Sequence, residues 1–167
     1  MNAALAVLLL SLGQAHVESG PIEFRPSKEE VQAGRRHARF NVLLQQARCN
    51  LGVRESIVAE PLTSGIPDEY LARLGQLLGK KALKKWSPVA YINGSVRAGW
   101  TVYYDPAWLK KAKNGVVLWT AYHETCHAAL DAERVSRGAL NEDEWYDMER
   151  KAIGCANTWA GALLFAP

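Results

Sequence analysis

Histidine is scarce in this chain. Four stand among 167 residues, His16, His37, His123 and His127, and none follows His127. Excess charge is scarce too: 20 Lys and Arg face 17 Asp and Glu, and a net charge of +3 gives no reason to expect a nucleic-acid partner. Beyond the N-terminus no run approaches the roughly eighteen uninterrupted apolar residues of a membrane span, and there is no internal repeat or low-complexity tract. Three cysteines cannot all pair within one chain. What is present, 49% hydrophobic and 22% charged residues, is the composition of a globular protein and not of a disordered or fibrous one. A length of 167 residues holds one sizeable core and is too short for two ordinary domains.

Residues 1–15 carry no ionisable side chain, and Ala3 to Leu12 form an apolar run ending at Gly13-Gln14-Ala15. The run has the length of a signal-peptide core, with small residues where a signal peptidase cuts, although no basic side chain precedes it. The expectation is a signal peptide over 1–15, a domain over 16–167, and a secreted or periplasmic protein with no membrane span in the mature chain. In that compartment Cys49 and Cys155 can bridge and leave Cys126 buried and reduced; equally, each cysteine can be a small apolar core residue.

Ser27 followed by Glu30 has capping-box spacing and predicts a helix running to about Cys49. A second helix is expected from Pro67-Asp68, with Asp68 as cap and Tyr70, Leu71, Leu74, Leu77 and Leu78 at helical spacing. Lys80 to Lys85 holds four lysines, a solvated helix face or a surface for an anionic envelope. From Ser87 the pattern turns β-rich: Pro88 to Ile92 and Trp100 to Tyr104 read as strands, with Asn93-Gly94 as turn chemistry. A short helix around Ala107 to Ala112 and the breaker Asn114-Gly115 follow. The simplest account is one α+β domain, with a small antiparallel sheet packed on the helix that comes next.

That helix contains His123-Glu124-Thr125-Cys126-His127, a match to HExxH. Positions i and i+4 share one helix face, so His123 and His127 can offer two imidazole nitrogens to one zinc ion, with Glu124 beside the open coordination position as general base. This is the residue set of metal-assisted peptide hydrolysis. The surrounding helix is apolar on nearly every side, an environment in which two histidines and a glutamate are normally paired or metal-bound.

With no histidine after His127, the third ligand falls to a downstream carboxylate: Asp131, Glu133, Glu142, Asp143, Glu144, Asp147 or Glu149. Asn141 caps a helix whose acidic first turn, Glu142-Asp143-Glu144, suits the helix N-terminus without any catalytic role. Glu149 lies over a turn into that helix and is followed by Ala152, Gly154, Cys155, Ala156 and Ala160, small residues that permit close approach to the HExxH helix. Glu149 stands first, then Glu142 or Glu144, then Asp147.

The order of strand (Gly99 to Pro106), HExxH helix and Glu-bearing helix resembles a minimal zincin of the gluzincin type. Metzincin-like and SprT-like sites, which take a downstream histidine, do not fit. Glu149-Arg150-Lys151-Ala152 resembles the E-x-x-A of HtpX-type metallopeptidases, and Ala156 to Leu164 resembles the A-N-x-F-A-x-x-L-L of ImmA/IrrE-type ones. The first frame puts the ligand on Glu149 and the second on Ile153. The resemblance implies a zinc metalloendopeptidase acting on a peptide or protein substrate, with Trp100, Val102 and Tyr104 on an edge strand that pairs with it; an ordinary sheet strand is the alternative. It leaves Asp131 as a candidate to orient a ligand histidine, and Tyr122, Tyr146 and Arg150 as candidate oxyanion stabilisers. Two other functions are open: a non-catalytic zinc-binding regulatory or interaction protein of the same fold, and a helical envelope protein using Lys80 to Lys85.

Overall fold

The computed structural model describes residues 26–63, 66–78, 89–137 and 141–164. The expected signal segment and the lysine-rich stretch from Lys80 to Lys85 lie outside the described residues. Helix α1 (Lys28–Asn50) begins where the capping box predicts: the Glu30 N–H donates to Ser27 Oγ at 3.2 Å and the Ser27 N–H donates to Glu30 Oε2 at 2.6 Å. It ends in a Schellman turn, with Gly52 at φ +69° and the Val53 N–H bonded to the Arg48 carbonyl at 3.0 Å.

Strand β1 (Ile57–Pro61), which the sequence pattern did not announce, is followed by α2 (Asp68–Leu78), β2 (Ala90–Ser95) and β3 (Gly99–Tyr104). Pro67, one residue before the expected cap, supplies the carbonyl that receives the Leu71 N–H at 3.1 Å. The sheet has order β1-β3-β2, with β3 parallel to β1 and antiparallel to β2. It is therefore mixed, not purely antiparallel. Two expectations need correction here. Asn93 and Gly94 are strand residues, and the hairpin turns over Val96, Arg97 and Ala98, because Gly99 at φ +82° supplies the left-handed residue that closes a three-residue loop. Trp100, Val102 and Tyr104 lie on the central strand, not an edge, and both sides of β3 are paired.

Their side chains are buried in the main core with Phe40, Leu44, Ile57, Leu109 and Val117. Phe40 meets Tyr104 edge to face, ring centroids 5.4 Å apart. On the opposite face Tyr70, Tyr91 and Tyr103 stack in series at 4.6 and 5.2 Å. The outer edge of β1 is closed by α1: the Ala59 N–H donates to Asn41 Oδ1 at 2.8 Å, and Gln45 Nε2 donates to the Ile57 carbonyl. Among the described residues no strand pairs with the outer edge of β2.

Helix α3 (Pro106–Lys111) is capped by Asp105, whose Oδ1 receives the Ala107 N–H at 2.8 Å. Next come α4 (Asn114–Leu130), α5 (Ala132–Arg137) and α6 (Glu142–Leu164). The Asn141 cap forms as expected, receiving the Glu144 N–H at 2.9 Å. Helices α4 and α6 pack along their lengths, and Ala152, Ala156 and Ala160 on α6 are wholly buried, which lets the two backbones come close. Their tie is a disulfide between Cys126 and Cys155, with Cα atoms 6.2 Å apart. Cys49 is free and exposed at the end of α1, so the expected Cys49–Cys155 bridge is corrected. Cys126 and Cys155 sit on facing sides of packed helices, where the pair is in reach. No helix of the described residues is long and apolar enough to cross a membrane.

Candidate metal centre

From Thr120 to Ala128 every residue of α4 is buried, including His123, Glu124 and His127. The helix places the two histidines one above the other, and their Nε2 atoms converge to 3.2 Å. Glu149 reaches the same point from α6, with Oε2 3.3 Å from His123 Nε2 and Oε1 3.5 Å from His127 Nε2. These are the one group of His, Cys, Asp or Glu among the described residues whose ligand atoms gather closely enough to hold a metal ion. Of the seven downstream carboxylates, Glu149 alone joins the histidines.

The separations decide what the cluster fits. Bonds of about 2.0–2.1 Å to a tetrahedral zinc ion place neighbouring ligand atoms about 3.3 Å apart. The Nε2 atoms are 3.2 Å apart and the nearer Glu149 oxygen to each lies at 3.3 Å (Oε2 to His123) and 3.5 Å (Oε1 to His127), separations of that size. Hydrogen bonds do not complete the cluster, since His123 Nδ1 and His127 Nδ1 are buried without a partner. Two imidazoles and one carboxylate form a donor set that zinc accepts with a fourth position open.

Electrostatics separates the members. Burial lowers the His127 imidazole to about 4, and His123 adds to the effect against the pull of Glu149, so His127 is neutral and ligand-ready near pH 7. Burial also pulls His123 down, but Glu149 together with the charge of Glu124 overrides it and leaves His123 above its ordinary value. Burial pushes Glu124 up to about 7; His123 opposes the rise, Glu149 adds to it, and a hydrogen bond from the Ile92 backbone N–H opposes it. Through Ile92 the Glu124 carboxylate touches β2, whose outer edge pairs with no further strand among the described residues.

The other candidates lie elsewhere. Glu144 pairs with Arg137 at 3.0 Å and Asp147 with Arg134 at 2.7 Å and Lys151 at 2.8 Å. Asp131 is buried 3.4 Å from Arg134, with its Oδ2 unpartnered. Tyr122 is buried on the far side against Ala47, Ala156 and Ala160, its hydroxyl accepting from Asn50 Nδ2 at 2.6 Å, so it does not reach the cluster. Tyr146 and Arg150 are exposed near Glu149 on α6. His37 bonds Tyr104 Oη at 2.8 Å and Asn41 at 3.0 Å, away from the histidine pair. One neighbour of the cluster escaped the sequence reading: Trp119 stacks on His123 with ring centroids 4.8 Å apart and donates to Asn157 Oδ1 at 2.8 Å. Its place one helical turn before His123 was the available signal. Comparison with protein-family models, curated proteins and solved structures finds no match to this chain.

Proposed function

We propose that this chain is a zinc-dependent metalloendopeptidase of the gluzincin type, with His123, His127 and Glu149 holding the metal and Glu124 as general base. The observation that carries the reading is the convergence of two buried imidazole Nε2 atoms 3.2 Å apart on one buried carboxylate, whose two oxygens lie 3.3 and 3.5 Å from them. Zinc, when bound there, supplies Lewis-acid polarisation and acidifies a water. Glu124 follows His123 on the same buried turn and accepts the proton of the attacking water. Water adds to the scissile carbonyl carbon, the C–N bond breaks, and the proton held by Glu124 passes to the departing amine.

The substrate lies along β2 in place of the β3 edge that the sequence suggested. The β2 residues Ala90, Ile92 and Gly94 alternate with those bonded to β3, so their main-chain groups face outward; Glu124 takes the Ile92 N–H and Asn93 Oδ1 the Gly94 N–H, which leaves the carbonyls to receive the N–H groups of a peptide. An extended peptide can pair there, beside Glu124, with little sequence preference. The Cys126–Cys155 bridge supports an oxidising compartment, consistent with a secreted or periplasmic enzyme.

The test is Glu124→Gln. It should retain one zinc per chain and lose about 10²–10⁴-fold in cleavage of an unstructured protein. Cleavage unchanged in this variant would favour a contaminating activity or a non-catalytic zinc protein of the same fold.

A further inference from the structure

Ligand histidines are ordinarily oriented by their second ring nitrogen, which donates to a carboxylate, a carbonyl or water. His123 lacks this support: its Nδ1 is buried and has no partner. Something else must hold the plane of the ring, because rotation about Cβ–Cγ would swing Nε2 away from Glu149. The indole of Trp119 lies against the imidazole with centroids 4.8 Å apart and planes 17° from parallel. The indole is held in turn, its Nε1–H donating to Asn157 Oδ1 at 2.8 Å. Asn157 is on α6, two turns beyond Glu149, so the helix that supplies the carboxylate also fixes the indole. His127 closes the series, its ring edge-on to His123 at 86° with centroids 4.7 Å apart.

We infer that Trp119, clamped by Asn157, is a positioning residue that sets the orientation of His123, and through it His127, toward the metal. This rests on the zinc reading above. Stacking takes the place of the missing hydrogen bond: it fixes the ring plane while leaving Nδ1 free of any charged partner. The metal geometry then depends on the register of α4 against α6.

The experiment uses cobalt(II) as probe on the full chain, comparing wild type, Trp119→Ala, Trp119→Phe, Asn157→Ala and His123→Ala by affinity, visible absorption of the bound ion and thermal midpoint. Trp119→Ala should bind cobalt about 10-fold or more weakly with an altered spectrum. Trp119→Phe, which keeps a stacking ring, should restore the spectrum and stay within about threefold of wild type, and Asn157→Ala should fall between the two. A merely structural role would lower the thermal midpoint and leave the spectrum of bound cobalt unchanged, which overturns the proposal. Should Trp119→Ala not fold, Asn157→Ala decides: wild-type affinity and spectrum there overturn it. Wild type that fails to bind cobalt, or His123→Ala that binds as well as wild type, overturns the zinc reading and this proposal together. Loss in His123→Ala with no change in Trp119→Ala overturns this proposal alone.

Discussion

The two long helices that flank the central helix, α1 and α6, treat polar groups in opposite ways. On the α1 side polar side chains that turn inward find partners: Asn41 and Gln45 close the edge of β1, His37 bonds Tyr104, and Arg36 donates to the carbonyls of Leu109 at 2.8 Å and Ala112 at 3.2 Å, at the end of α3. Where α4 meets α6, three buried side-chain atoms, His123 Nδ1, His127 Nδ1 and Asp131 Oδ2, have none. One exception crosses the line, since Trp100 Nε1 is unpartnered in the apolar core and we have no physical account of it. The contrast separates two jobs. Matched polar groups around an apolar core hold a fold, whereas unmatched ones kept at a cost in stability mark a place where a ligand completes the set.

That contrast can be broken in several places. The largest stability effect should come from the matched side: Phe40→Ala empties a wholly buried position and should cost about 3–5 kcal/mol in chemical denaturation. A cost under about 1 kcal/mol would mean that the sheet and α1 are not the stability core. Next is the staple between the helices that carry His123, His127 and Glu149. Its loop spans a separation of 29 residues, and the Cys126→Ser, Cys155→Ser double variant should lose about 3–4 kcal/mol, measured against the oxidised wild type. Full stability in the double variant would detach the disulfide from the architecture of the site.

Glu149→Met sharpens the comparison by sign. Removing a carboxylate buried between two apolar helices should raise the stability of the metal-free protein by about 1 kcal/mol while metal binding is lost. Destabilisation instead would make Glu149 a structural ion-pair partner of His123. The smallest effect is expected at Asp147, whose carboxyl Lys151 and Arg134 hold down to about 2. A depressed carboxylate adds stability that is fully present above its unfolded value of 3.8 and is lost as pH falls toward 2. Asp147→Asn should therefore lose less stability than wild type between those pH values, and identical acid-unfolding curves would remove Asp147 from the account.

What was legible in the sequence was local. The capping box at Ser27, the Asn141 cap, the short helix behind Asp105 and the helical spacing of His123 and His127 depend on neighbours within a turn or two, and each forms as read. Glu149 was reachable because small residues on α6 betray a close helix contact. The missed features are non-local. Strand β1 is five residues ending in Glu60-Pro61, and it exists because β3 and α1 take up its two edges. That same pairing moves Trp100, Val102 and Tyr104 from an edge to the centre. The disulfide partner and the Trp119–Asn157 contact both depend on the register of α4 against α6, which no spacing along one helix reveals.

The central claim, that His123, His127 and Glu149 form one zinc site, is tested most directly by the zinc content of the purified full chain, by native mass spectrometry or elemental analysis, beside His123→Ala and Glu149→Ala. The account predicts one zinc per chain in wild type and its loss from both variants. Wild type without zinc, or Glu149→Ala that keeps its full zinc content, would contradict it.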